Sequence, residues 1–257
     1  MNNKLLQLYV VYHKETPIIR SDIFIPIQGG RSISNMKLEM IGDDSSLNIS
    51  HKNNTFCELT VLYWMRHNAP ESEFIGLNHY RRFFYLGWNE KINQQLVIDQ
   101  NLSVFKLNFD GGLTASIQSQ GLFERILSNC DILLPTIQNF GRGLSMREQY
   151  GINHGFFSFR EMLEILIELH PAKANQIYSI ADSHWFYPYN MFVMRTSLFT
   201  EYSNWLFNVV DKLEPKLPKT ERLIGFLGER LFNFYIQLFL SNGKYKIKHF
   251  PIMFLQE

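Results

Sequence analysis

Apolar positions in the first eighty residues fall in short unbroken runs between polar turns, the pattern of strands buried on both faces. Residues 6–12 and 23–27 are the first two such runs. Residues 57–66 change period, placing Leu59, Leu62, Tyr63 and Met65 on or near one helical stripe. Residues 73–77 return to a strand that runs into His79, Tyr80, Arg81 and Arg82, and residues 131–134 form another, stopped at Pro135. Residues 89–119 are polar and mixed, with no assignable period. Helical spacing dominates the second half. Residues 158–169 carry Phe159, Met162, Leu163, Ile165, Leu166 and Leu169, with Ser158 as N-cap and Pro171 as stop. A short strand over 190–194, a helix over 197–210, a loop over 213–220, a long helix over 222–240 and a last strand over 245–254 complete the reading. Strand–helix alternation of this kind predicts α/β layers in one domain over residues 1–257, with ligands gathered at the carboxyl ends of the strands.

Composition narrows the function. The 257 residues suffice for a hydrophobic core, and 25 basic against 24 acidic side chains leave a net charge of +1. That balance argues against bulk nucleic acid as the partner. The N-terminal apolar run is broken by Gln7 and lacks a small-residue cleavage site, so it reads as a strand rather than a signal peptide. Leu223–Leu240 is interrupted by Glu229, Arg230, Asn233 and Gln237 and reads as a core helix rather than a membrane span. Cys57 and Cys130, far apart and in apolar surroundings, fit a reduced cytoplasmic protein with buried thiols. Aromatic residues make up 15% of the chain, and the count alone does not choose between core, sugar- or base-binding cleft and membrane surface.

Candidate chemistry collects in a few places. His79, Arg81 and Arg82 at a strand end offer several fixed donors to a dianion such as a diphosphate, against the plainer reading of solvated surface arginines. Asp43, Asp44 and Asn48 lie in a polar loop suited either to a ligand's hydroxyls or to capping the helix near Thr55. Glu58 is a lone carboxylate at an apolar helix start. Glu229, beside Arg230, is either part of an ion pair or a carboxylate aimed into a cleft, where Gly225 and Gly228 permit close approach and where it would act as general base. His13 ends the first strand. No Asp-x-Asp pair for a metal-bound nucleotide occurs, so no metal or other cofactor is expected and cationic side chains would offset pyrophosphate charge instead.

The ordered set Asp43-Asp44, Asn48-Ile49-Ser50, Cys57-Glu58-Leu59-Thr60, Tyr63-Trp64 and Ile75-Gly76-Leu77 with His79-Tyr80-Arg81-Arg82 resembles a bacterial family long labelled a domain of unknown function. Its members occur in capsule, exopolysaccharide and O-antigen biosynthesis and include β-galactofuranosyltransferase domains. The resemblance continues through Asp131–Pro135, Glu148-Gln149-Tyr150, Tyr189–Met194 and Gly225–Leu231, so it spans nearly the whole chain. It departs at Ser45-Ser46-Leu47, where members often carry Thr-Gly-Asp, and at Asn78, where Cys is common.

The resemblance implies a GT-A-like glycosyltransferase with a mixed sheet flanked by helices and a helical C-terminal half. Its donor would be a nucleotide sugar of the UDP type, and its acceptor a glycan or polyprenyl-linked glycan. It places His79, Arg81, Arg82 and His13 near the donor diphosphate, and Asp43, Asp44 and Asn48 near the nucleotide or sugar. Glu229, with His79, would serve catalysis, while Tyr80, Glu58, Tyr189 and Asn190 line the sugar cleft. A non-catalytic nucleotide- or polysaccharide-binding module of an assembly complex is the competing reading. Peripheral association with the inner membrane through Lys244, Lys246, Lys248, Phe250 and Phe254 is compatible with either.

Overall fold

In the computed structural model, which describes residues 4–86, 97–99, 104–108 and 120–256, the sheet is built around the first apolar run. Strands β1 (Lys4–Tyr12), β2 (Phe24–Gln28), β3 (Ile41–Gly42) and β4 (Ser72–His79) lie parallel in the order β3-β2-β1-β4. β1 alternates between two cores: Leu6, Leu8, Val10 and Tyr12 enter one, Tyr9 and Val11 the other. A chain buried on both faces must read as a near-continuous apolar run, and it does.

β4 turns back into β5 (Arg82–Phe84), pairing His79 with Arg82. Within the polar segment 89–119, the described residues comprise two short antiparallel strands, β6 (Val97–Asp99) and β7 (Val104–Asn108); the rest of that segment lies outside the described residues. The sheet grows beyond β4 through β11 (Phe192–Arg195), antiparallel to both β4 and β8 (Ile132–Pro135), and ends at β12 (Ile247–Phe250), parallel to β8. Strands β9 (Gln138–Asn139) and β10 (Trp185–Phe186) form a separate two-stranded ribbon. The expected single last strand is two strands. Pro251 interrupts it, and β13 (Ile252–Gln256) crosses to the far side of β4 in the same sheet, where it pairs with β5 and β7.

Helices cover both faces, and several starts differ from the sequence reading. The helix expected over 57–66 is α2 (Leu59–Asn68), which starts two residues later because Cys57 takes φ 50° and separates it from a preceding short helix, α1 (Asn53–Phe56). Helix α3 (Gln120–Leu127) packs Phe123 and Leu127 into the core that Leu6, Leu8, Val10 and Tyr12 enter. Helix α4 (Met146–His154) has a full capping box between Ser145 and Glu148. Helix α5 (Phe156–Leu169) starts after Gly155, not at Ser158, whose buried hydroxyl lies 3.2 Å from the Tyr150 hydroxyl. Then come α6 (Ala174–Ala181), α7 (Thr196–Leu213) and α8 (Leu223–Tyr235), which widens into a π turn over Ile236–Leu240. Leu223–Leu240 has the length and hydropathy of a membrane span, but 78% of it is buried inside the fold as a core helix.

Gly225 and Gly228 do allow a close approach, but of helix to helix. A methyl at Gly225 would sit 2.7 Å from Cys57 Sγ, and one at Gly228 2.6 Å from Leu59 Cδ1. Their absence lets α8 lie against the α1–α2 junction, which brings Glu229 to the same edge as Glu58. Gly225→Ala should therefore destabilise the protein by about 1–3 kcal/mol through overpacking. In urea, this appears as a lower midpoint at unchanged slope. An unmoved midpoint would mean that α8 can shift outward freely.

Candidate active site

The carboxyl ends of β1, β2 and β4 and the chain entering β11 meet at one edge of the sheet. His13 follows β1, Gly29 and Gly30 follow β2, His79 ends β4, and Tyr189 and Asn190 precede β11. This is where an open α/β sheet leaves a crevice.

The cationic wall is the β4–β5 turn. Arg81 lies over the rings of Tyr80 (4.9 Å) and Phe254 (5.3 Å), and Arg82 over Tyr189 (4.3 Å) and Phe254 (5.4 Å). Among the described residues neither guanidinium has a carboxylate partner, and the buried Nε of each has no acceptor. Ring faces hold the two groups in place. His13 packs edge-on to Tyr80 at 5.0 Å and is held below the ordinary histidine range, by desolvation and then by Lys14, Arg81 and Arg222.

His79 has a different task. Its Nε2 lies 2.5 Å from the carbonyl oxygen of Tyr189, so that nitrogen carries the proton and donates. Burial, with Arg82 adding to it, lowers its pKa to about 4, so the ring is neutral at physiological pH.

The opposite wall is acidic. Glu58, at the start of α2, accepts from Asn190 Nδ2 at 2.7 Å. Protein surrounds it on most sides while part of its surface stays accessible, as for a group on a cleft floor. Burial raises its pKa to about 6; the Asn190 hydrogen bond opposes that and Glu229 adds to it. Glu229 uses both oxygens: Oε1 accepts from the Tyr189 amide (2.6 Å) and Oε2 from Arg230 (2.8 Å). One turn further along α8, Asn233 accepts from the Tyr187 amide (2.6 Å) and donates to its carbonyl (3.0 Å). Side chains at i and i+4 of α8 thus pair with alternate backbone amides of residues 187–189, as a neighbouring strand would. That grip holds Tyr189 and Asn190 at φ 71° and 52°, left-handed values that non-glycine residues seldom take. The strand expected from 190 accordingly begins only at Phe192.

The polar loop is largely self-satisfied. Asp43 is wholly buried and accepts from Gly30 N, Arg31 N, Ser50 Oγ and Thr60 Oγ1 at 2.5–3.0 Å, so it ties the β2 and β3 ends to α2. Asn48 donates to Asp44 O and Ser46 O and accepts from Ser50 N, all within its own turn. Asp44 alone of the three keeps an accessible carboxylate free of such a role, 3.8 Å from Arg31 Nε. Toward the C-terminus, the half-buried Phe254 packs on the two arginines, and the half-buried Phe250 packs on the core that Leu6, Leu8, Val10 and Tyr12 enter.

Arg222 was not picked out from the sequence. Its guanidinium bonds the Cys57 thiol and is felt by both Glu58 and His13. The signal was available: a cation immediately before α8 faces the positive end of that helix, and here it also takes φ 61°. Such a placement is unfavourable unless an anion joins it. Among the described residues, no group of three or more His, Cys, Asp or Glu is arranged to hold a metal ion.

These features define a mixed-sheet α/β protein of the GT-A-like type, with its cleft at the strand ends. The family described as a domain of unknown function (DUF4422) matches residues 7–240, and the chain belongs to it. Among solved structures, the apo structure of WbbM, a bifunctional glycosyltransferase, is similar with TM-score 0.88 and 27% identity, over 99% of this chain and 46% of that one. The chain thus spans about half the length of that protein. No curated protein matches it significantly.

Proposed function

We propose that the chain is a glycosyltransferase that moves a sugar from a nucleoside-diphosphate donor, of the UDP type, to a hydroxyl of a glycan or polyprenyl-linked glycan in bacterial surface-polysaccharide synthesis. The observation that carries this is the division of the cleft: the guanidinium groups of Arg81 and Arg82, with no carboxylate partner among the described residues, on one wall, and the Glu58 carboxylate with Asn190 on the other. A leaving diphosphate needs the first, and an attacking hydroxyl needs the second. The likeness to a glycosyltransferase structure supports the same reading. Galactose or galactofuranose is the first sugar to try, and the cytoplasmic face of the inner membrane the first place to look.

A thermal-shift series with UDP and UDP-sugars, with and without Mg²⁺, tests the donor class. Stabilisation by UDP at about 100 times its Kd should reach about 2.7 kcal/mol. Release of free UDP then separates a transferase from a module that only binds. Donor binding without any release, across sugars and acceptors, would favour the binding module.

A further inference from the structure

We propose that Glu58 is the general base that takes the acceptor proton, and that Glu229 is a positioning residue that holds the Tyr189–Asn190 bend in place. This rests on the glycosyltransferase reading and assigns its chemistry to one of two neighbouring carboxylates.

Geometry separates the two. Both oxygens of Glu229 are engaged in holding the structure: one accepts from the Tyr189 backbone and the other from a buried guanidinium whose side chain is only 5% exposed. Turning such a carboxylate toward an acceptor hydroxyl would give up one of these bonds. Glu58 receives one side-chain hydrogen bond, from Asn190, and keeps an accessible surface. Asn190 itself is fully buried and its Oδ1 has no partner among the described residues, so amide oxygen and carboxylate are neighbouring acceptors for a ligand hydroxyl. A buried acceptor left unpaired is costly, and a bound hydroxyl relieves it.

Every element packed against Glu58 bears on its proton. Glu229 from α8 raises its affinity, while Arg222 before α8 and the Asn190 amide lower it. Tyr202 of α7 and Cys57 also face it, and both are held neutral by burial, with the Glu58 charge adding to that. Burial outweighs the rest and sets the pKa at about 6, well suited to a base that works near neutrality. In the step itself, the acceptor oxygen bonds to the anomeric carbon of the donor. The bond from that carbon to the diphosphate oxygen breaks, its electron pair leaving on the nucleoside diphosphate. The hydroxyl proton passes to Glu58.

The test follows UDP release from UDP-galactose and UDP-galactofuranose, with octyl β-galactoside as acceptor probe, across pH 4.5–8.5. In the unmodified chain kcat/KM should fall below about pH 6, because the carboxylate form is lost as pH drops through the pKa. Glu58→Gln should lower kcat by about 10²–10⁴-fold and abolish that acidic limb, with UDP-induced stabilisation retained as evidence of folding and donor binding. Glu58→Asp should recover part of the rate. Glu229→Gln should keep the acidic limb, whatever its rate. If Glu58→Gln keeps both rate and limb, or Glu229→Gln alone removes the limb, the assignment is overturned. If the unmodified chain binds UDP but consumes no donor, the failure belongs to the glycosyltransferase reading itself.

Discussion

Arg82→Ala is expected to cut kcat/KM by about 10²–10³-fold, the loss that follows removal of one preorganised donor from a site of developing negative charge. In the proposed reaction a full charge appears on oxygen when the bond to the diphosphate breaks, and Arg82 would meet it without reorganising. Its plane is already fixed between Tyr189 at 4.3 Å and Phe254 at 5.4 Å, and among the described residues no carboxylate competes for it. Arg81 is held in the same manner by Tyr80 and Phe254, so its loss should cost a comparable factor. The two share Phe254, so the double variant should depart from additivity. Arg82→Lys discriminates charge from fork. An ammonium keeps the charge but neither stacks on the ring plane nor offers paired donors, so most of the loss should persist. The measurement is steady-state release of nucleoside diphosphate, with circular dichroism to confirm folding. An Arg82→Ala protein within threefold of the unmodified rate would remove the arginines from the donor site.

Why was this wall legible in the sequence when much else was not? Arg81 and Arg82 sit directly after a strand whose apolar run is unmistakable, and the carboxyl end of a buried strand is a privileged place. Position along the chain therefore carried the inference. Asp43 shows the converse. Its residue type and loop suggest a ligand contact, yet which donors surround it depends on Gly30, Arg31, Ser50 and Thr60, gathered from three separate places. Nothing local announces such a convergence. The strand over 190–194 was misplaced for a related reason: the left-handed Tyr189–Asn190 pair is imposed by Glu229 and Asn233, some forty residues away. Local propensity has no access to strain that a distant helix maintains. The division of the last strand at Pro251 is different, since a proline within an apolar run is a local signal.

The Glu229–Arg230 pair also resolves an ambiguity of the sequence, because it is a buried ion pair and a working part at once. Arg230 is enclosed by Phe140 (5.7 Å), Phe186 (5.4 Å) and Tyr150 (5.8 Å), and it bonds Gln149 Oε1 at 2.6 Å as well as Glu229. Arg230→Met fills similar space but leaves one oxygen of Glu229 unpaired in a half-buried setting. Breaking a buried pair from one side costs about 3–5 kcal/mol. For a domain of this size, that lowers Tm by roughly 6–20 °C. Turnover should fall as well, because Glu229 is then free to rotate away from the Tyr189 amide and release the bend that carries Asn190 to Glu58. A second substitution separates the two effects. Arg230→Met combined with Glu229→Leu removes both charges, and replacement of a buried pair by apolar groups is often neutral or better for stability. The double variant should therefore regain much of the lost Tm while transfer stays low, since no side chain remains to accept from the Tyr189 amide. Recovery of Tm and transfer together would show that the bend holds itself, and that α8 contributes only packing.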